Sequence, residues 1–127
     1  MIDVLIVGAG GFIGASLRYI CMMVINMAGQ TAFPWATFVI NVIGCFFIGF
    51  FSIILPYYYP AQKTPLLFFT TGLVGGYTAI ATWGLETVGL LEEGNFLVAG
   101  GYIAATVVCC LVAVYLGRGA GRMIYGN

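Results

Sequence analysis

Few residues in this chain have side chains that do chemistry, and most of those lie inside apolar runs. The stretch Gly72-Leu73-Val74-Gly75-Gly76-Tyr77-Thr78-Ala79-Ile80-Ala81-Thr82-Trp83 sets glycines and hydroxyls in the middle of such a run. Glycine carries the largest entropy penalty in a helix, and backbone groups freed inside a bilayer must be buried in protein or face a water-filled cavity. A helix broken at that depth predicts an ion or substrate site. Thr37, Asn41 and Gly44 or Cys45 fall on one helical face. The Asn41 amide either bridges helices or offers N–H groups to an anion. Tyr102, Thr106 and Cys110, at i, i+4 and i+8, make a narrow polar stripe that fits plain packing equally well.

Arg18 and Glu86 bring charge into apolar runs. Arg18 is away from either end of its run, so it must snorkel or face a watery vestibule. Glu86 is near the far end of its own run, which predicts a vestibule or interface position, with proton coupling as the sharper alternative. Asn26, near a run's end, reads as interfacial.

The elements that must hold these residues are membrane helices. The chain has 127 residues, 62% hydrophobic and 6% charged, against about 25% charged in an ordinary soluble domain. Mean hydropathy is +1.09. Net charge is zero and histidine is absent, so there is no basic patch for nucleic acid and no imidazole for metal or acid–base work. Runs at about 2–27, 35–55, 65–90 and 96–117 are each long enough for a hydrocarbon core of about 30 Å. The expected fold is an all-α membrane protein, one domain over 1–127, with four transmembrane helices. Short connections predict an up-down bundle with both termini on one side. The tyrosines of Pro56-Tyr57-Tyr58-Tyr59-Pro60 fit an interfacial belt. The first run lacks a basic flank and is expected to be retained rather than cleaved.

Several chemistries are excluded by detail. Val4 to Gly14 imitates a dinucleotide-binding turn, but Ile13 stands where glycine or alanine is needed and no acidic residue follows about twenty positions on. Close helix packing explains the glycines better, because Gly10 and Gly14 are four apart, as are Gly72 and Gly76. Cys21, Cys45, Cys109 and Cys110 form no CxxC pair and read as free thiols at helix interfaces. No nucleophile, base and orienting group assemble into an enzyme site.

Taken together, Gly10 to Tyr19, Pro34-Trp35-Ala36-Thr37 leading into Val39 to Gly44, Gly72 to Thr78, and Glu86 resemble the Fluc family of fluoride channels, also called CrcB. The resemblance covers essentially the whole chain. It implies four-helix subunits of dual-topology type that pair antiparallel, third helices that are broken mid-membrane and cross there, and two fluoride pathways along the dimer. It further implies that the carbonyls of Gly75 and Thr78, with a partner's counterparts, hold a structural sodium ion. Asn41 would donate to fluoride, with Thr82, Trp83, Tyr102 and Thr106 along the pathway and Arg18 and Glu86 near the vestibules. Fluoride is small and strongly hydrated, so its pore must replace water with N–H and O–H donors or positive ring edges.

The departure from the family is local. Where the family runs Thr-Thr-Phe-Ser-Thr-Phe, this chain has Thr78-Ala79-Ile80-Ala81-Thr82-Trp83. Ile80 has no ring edge to offer fluoride, whereas Trp83 keeps a ring and an indole N–H. Charge adds a second expectation. Lys63, Arg118 and Arg122 fall on the side of the termini, while the opposite loops hold Glu92 and Glu93, with Arg18 leaning that way. This bias places both termini in the cytoplasm of a plasma-membrane protein. A homodimer whose copies insert both ways favours balanced charge, so a heterodimer with a homologous subunit is expected and a homodimer is the alternative. A non-conducting scaffold subunit and a small multidrug exporter are the competing functions. The exporter is disfavoured because the first run carries only Asp3 at its extreme start.

Overall fold

The computed structural model describes residues 1–29 and 31–124. Among them there is no strand, and four helical spans are long and apolar enough to cross a membrane. They are Ile2–Met27, Trp35–Tyr58, Thr64–Glu92 and Phe96–Ile124. The second span runs past the boundary expected at 55, taking Tyr57 and Tyr58 into the helix. Pro56 forfeits only its own N–H bond to the preceding turn, and the Tyr59 N–H still reaches the Leu55 carbonyl at 2.8 Å. The fourth span also continues past 117, to Ile124.

Two seams without side chains hold the bundle together. In the first, spans one and three approach backbone to backbone. A Cβ added at Gly10 would lie 2.9 Å from the Leu73 nitrogen, one at Gly72 2.8 Å from the Val7 oxygen, and one at Gly76 2.8 Å from the Gly11 oxygen. Lipid tails are as apolar as leucine, so such close contact, rather than hydrophobic exclusion, drives helix association here. The second seam joins spans two and four. Gly49 packs against Val114, Gly117 against the Phe46 carbonyl and Gly121 against Ile53. Gly117 and Gly121 repeat the four-residue spacing of the first seam, a signal already present in the sequence.

The bundle is up-down. An ion pair of 2.8 Å between Asp3 and Lys63 ties the start of the first span to the connection between the second and third. At the other end Phe33, Phe38, Trp83 and Val98 pack around Leu90, Ala99 and Tyr102.

The third span is not one α-helix. After the turn Thr64–Leu66 it widens into a π-helical stretch, Leu67–Val74, then returns to α-geometry over Gly75–Tyr77. The break comes next, with Thr78 extended (φ −74°, ψ 159°) and Ala79 at φ −139°, ψ 67°. A new helix, Ile80–Glu92, then begins. The break lies inside the stretch Gly72 to Trp83 expected to hold it, after the glycines rather than at them. Positive φ occurs, among the described residues, only at Gly29 and Gly94. Gly72, Gly75 and Gly76 stay helical. Gly72 and Gly76 serve close approach to the first span, and the chain opens only after Tyr77.

Candidate functional site

An open backbone at this depth requires partners, because each unsatisfied amide in hydrocarbon costs on the order of several kcal/mol. Asn41 supplies the first. Its Oδ1 accepts the Ala79 N–H at 2.8 Å in a buried setting. In an unbroken helix that N–H would serve the Gly75 carbonyl, so the same bond that stabilises the break releases an acceptor on Gly75. Gly44, one turn along the second span, supplies space: a Cβ there would strike the Thr78 methyl. Thr37, Asn41 and Gly44 are all buried on the same helical face. With its oxygen committed to Ala79, Asn41 keeps two N–H donors.

Those donors border a cavity of about 510 Å³ between spans two, three and four. Its lining includes Asn41, Gly75, Thr78, Ile80, Trp83 and Thr106. Two residues of this lining carry a buried polar atom with no protein partner, the Trp83 indole nitrogen and the Thr106 hydroxyl. A helical threonine ordinarily bonds back to the preceding turn, as Thr87 does to the Trp83 carbonyl at 2.7 Å. Thr106 does not. The helix starting at Ile80 has no side-chain cap, so the positive end of its dipole also opens at the break. Asn41, Trp83 and Thr106 therefore set donor groups among mostly apolar lining residues. Thr82 lies outside this lining, while Ile80 stands on it and is 77% exposed.

Arg18 comes to the same place. Its Nη1 donates to the Thr78 carbonyl at 3.4 Å, the long limit of hydrogen-bond reach. The guanidinium thus brings a positive charge to the break from the first span. Gly75 is exposed and Thr78 half-buried.

Glu86 belongs to a second cluster nearer the membrane surface. Its carboxylate accepts from the Tyr102 hydroxyl at 2.9 Å and from the Thr37 hydroxyl at 3.1 Å. Both donors are fully buried. Glu86 also borders a separate cavity of about 420 Å³, with Asn26 and Trp35 on its wall. It is therefore a half-buried carboxylate with one side toward a vestibule, and Tyr102 has its single proton engaged there. The Thr37 partnership was not anticipated, although its place one turn before Asn41 was the available signal. Because the carboxylate satisfies two hydroxyls from different spans, Glu86→Ala should lower stability by about 2–4 kcal/mol, read as an earlier thermal unfolding of the detergent-solubilised protein.

Comparison with known proteins agrees with this architecture. The family model described as CrcB-like protein, Camphor Resistance (CrcB), matches residues 5–118. A protein of Ruminiclostridium cellulolyticum named fluoride-specific ion channel FluC is 39% identical over 124 residues, covering 98% of this chain and 95% of its own. One of the same name from Chloroflexus aurantiacus is 38% identical over 126 residues, covering 99% and 100%. FluC 2 of Nocardia farcinica is 42% identical over 125 residues, covering 96% and 86%. With four apolar spans, a third span broken between Tyr77 and Ile80 and this extent of similarity, the chain is a multi-pass membrane protein that belongs to the CrcB-like family.

Proposed function

We propose that this chain is a subunit of a fluoride-selective channel that lets fluoride leave the cytoplasm passively. The observation that carries the reading is the pair of orphaned donors, Trp83 Nε1 and Thr106 Oγ1, on a cavity that Asn41 also lines. Relatives named as fluoride-specific channels supply the anion's identity. Fluoride gives up a tightly held water shell only to strong, closely spaced donors, and neutral donors let it leave again where a cationic side chain would hold it. In this scheme Asn41, Trp83 and Thr106 replace its water in turn, and the uncapped helix start at Ile80 biases the cavity toward anions.

The carbonyls at the break suit a sodium ion. Gly75 has lost its helical donor, and Thr78 has one of two lone pairs left after Arg18. Together with their counterparts on a second subunit they would hold the ion, which supplies fixed positive charge when bound. Arg18 holds a charge there independently.

The exposure of Ile80 supports an antiparallel partner, and the basic residues at the terminal end support a heterodimer with a homologous subunit, both termini of this chain being cytoplasmic. The test is fluoride efflux from liposomes holding this chain alone, the sibling alone, or both. Efflux is expected from the pair, and Thr106→Val in the pair should slow it about tenfold, the worth of one hydrogen bond to a charged group. Full efflux from this chain alone rejects the heterodimer. Unchanged efflux from the Thr106→Val pair favours a scaffold role, in which Ile80 and Trp83 mark a pathway that does not conduct.

A further inference from the structure

The cavity at the break also holds sulfur. Of the four free cysteines, Cys45 and Cys110 both stand on its wall, one from the second span and one from the fourth. Each is half-buried, and the two are one turn before Gly49 and Val114, which pack against each other where spans two and four meet. The other two are placed differently. Cys21 accepts a bond from the Tyr77 hydroxyl at 3.3 Å and lines a separate cavity, and Cys109 is not on this cavity's lining. Two helices that pack through the Gly49 and Gly117 seam fix the separation of the pair, since neither backbone has room to move inward.

Two facing thiols on an apolar wall make a specific ligand set. No group of three or more histidine, cysteine or acidic side chains exists among the described residues, so a tetrahedral zinc site cannot be completed here. Asn41 and Thr106 are hard oxygen and nitrogen groups with no affinity for soft ions. Two sulfurs alone suit a linear, two-coordinate d10 ion.

We propose that Cys45 and Cys110 form a two-thiolate site for a soft d10 metal ion, and that its occupation closes the cavity to fluoride. With mercuric chloride as the probe, two S–H and two Hg–Cl bonds break, two Hg–S bonds form, and two protons and two chloride ions leave, with no change of oxidation state. Mercuric chloride is neutral and crosses lipid, so it reaches a site that a hydrated cation does not. The bridge ties spans two and four together across the cavity, one turn from Thr106 on the stripe that carries the donors. Binding follows from the thiol geometry alone, whereas the block rests on the channel reading above.

The experiment uses the full chain carrying Cys21→Ser and Cys109→Ser, so that only the pair remains, with one equivalent of mercuric chloride. The mercury X-ray absorption spectrum is expected to report two sulfur neighbours. Adding Cys45→Ser or Cys110→Ser should leave one and weaken binding by at least ~100-fold, more than losing an outer-shell partner of a metal site costs. A single sulfur in the parent, or two sulfurs retained in either added variant, overturns the site. In liposomes that release fluoride, the same equivalent should slow efflux at least tenfold in the parent and leave both added variants at their own untreated rate. Two-sulfur binding with unchanged efflux in the parent rejects the block and leaves the site standing. Comparing each variant with its own untreated rate keeps this outcome distinct from failure of the channel reading.

Discussion

Asn41→Asp is expected to give a folded protein that no longer passes fluoride. Aspartate retains an oxygen for the Ala79 N–H, so the break keeps its partner at 2.8 Å. What it removes are the two amide donors on the cavity wall, and what it adds is a negative charge in the path of an anion. A hydrogen bond to a charged group is worth about 1.5–3 kcal/mol, and like charges 4 Å apart repel by about 4 kcal/mol at an intermediate dielectric, so efflux should fall by ~100-fold or more. Asn41→Ala separates the two roles of the side chain. It removes the donors and also orphans a buried N–H, which costs about 1–3 kcal/mol. Efflux should therefore be lost in both variants, and only Asn41→Ala leaves the Ala79 N–H without a partner. Fluoride-electrode efflux and a melt in detergent read the two effects. Retained efflux in Asn41→Asp removes this side chain from the pathway.

The second large effect is expected at a glycine that touches no ion. A Cβ on Gly14 would strike the Leu73 carbonyl and stand 2.9 Å from the Tyr77 nitrogen. Both obstacles are backbone, so no side chain can rotate out of the way and the first and third spans must part. Gly14→Ala should cost about 3 kcal/mol or more, near the upper end for overpacking, and shift the half of the third span that leads into the break. Gly8→Ala is the control. Nothing lies within 4 Å of a Cβ there, so it should be neutral or stabilise by about 0.5–1 kcal/mol. The readout is the surviving monodisperse fraction after heating. Equal behaviour of the two variants would mean that the glycine seam does not hold the spans together.

These two predictions mark where sequence reading succeeded and where it stopped. Gly10, Gly14, Gly72 and Gly76 were legible as a packing seam because four-residue spacing of small residues has one geometric meaning in adjacent membrane helices. Glycine's helix penalty pointed to a break within Gly72 to Thr78, and the chain opens only at Thr78 and Ala79, because in a tightly packed pair the absence of a Cβ permits helix rather than ending it. Thr78 and Ala79 are unremarkable as residue types. They open because Asn41, from another span, outcompetes the Gly75 carbonyl for one N–H.

Glu86 shows the same division. Its position near the end of a span was readable from counting. That it gathers Thr37 and Tyr102 from two other spans was not, because those partners lie 49 and 16 residues away in sequence.

By itself the sequence determined the solvent and the number of spans, since hydropathy and length are properties of local stretches. Only the tertiary structure decided where the third span breaks, which donors on its cavity stay unpartnered and which cysteines meet. Those outcomes depend on competition between distant groups for the same few hydrogen bonds and the same space, and no local stretch contains both competitors.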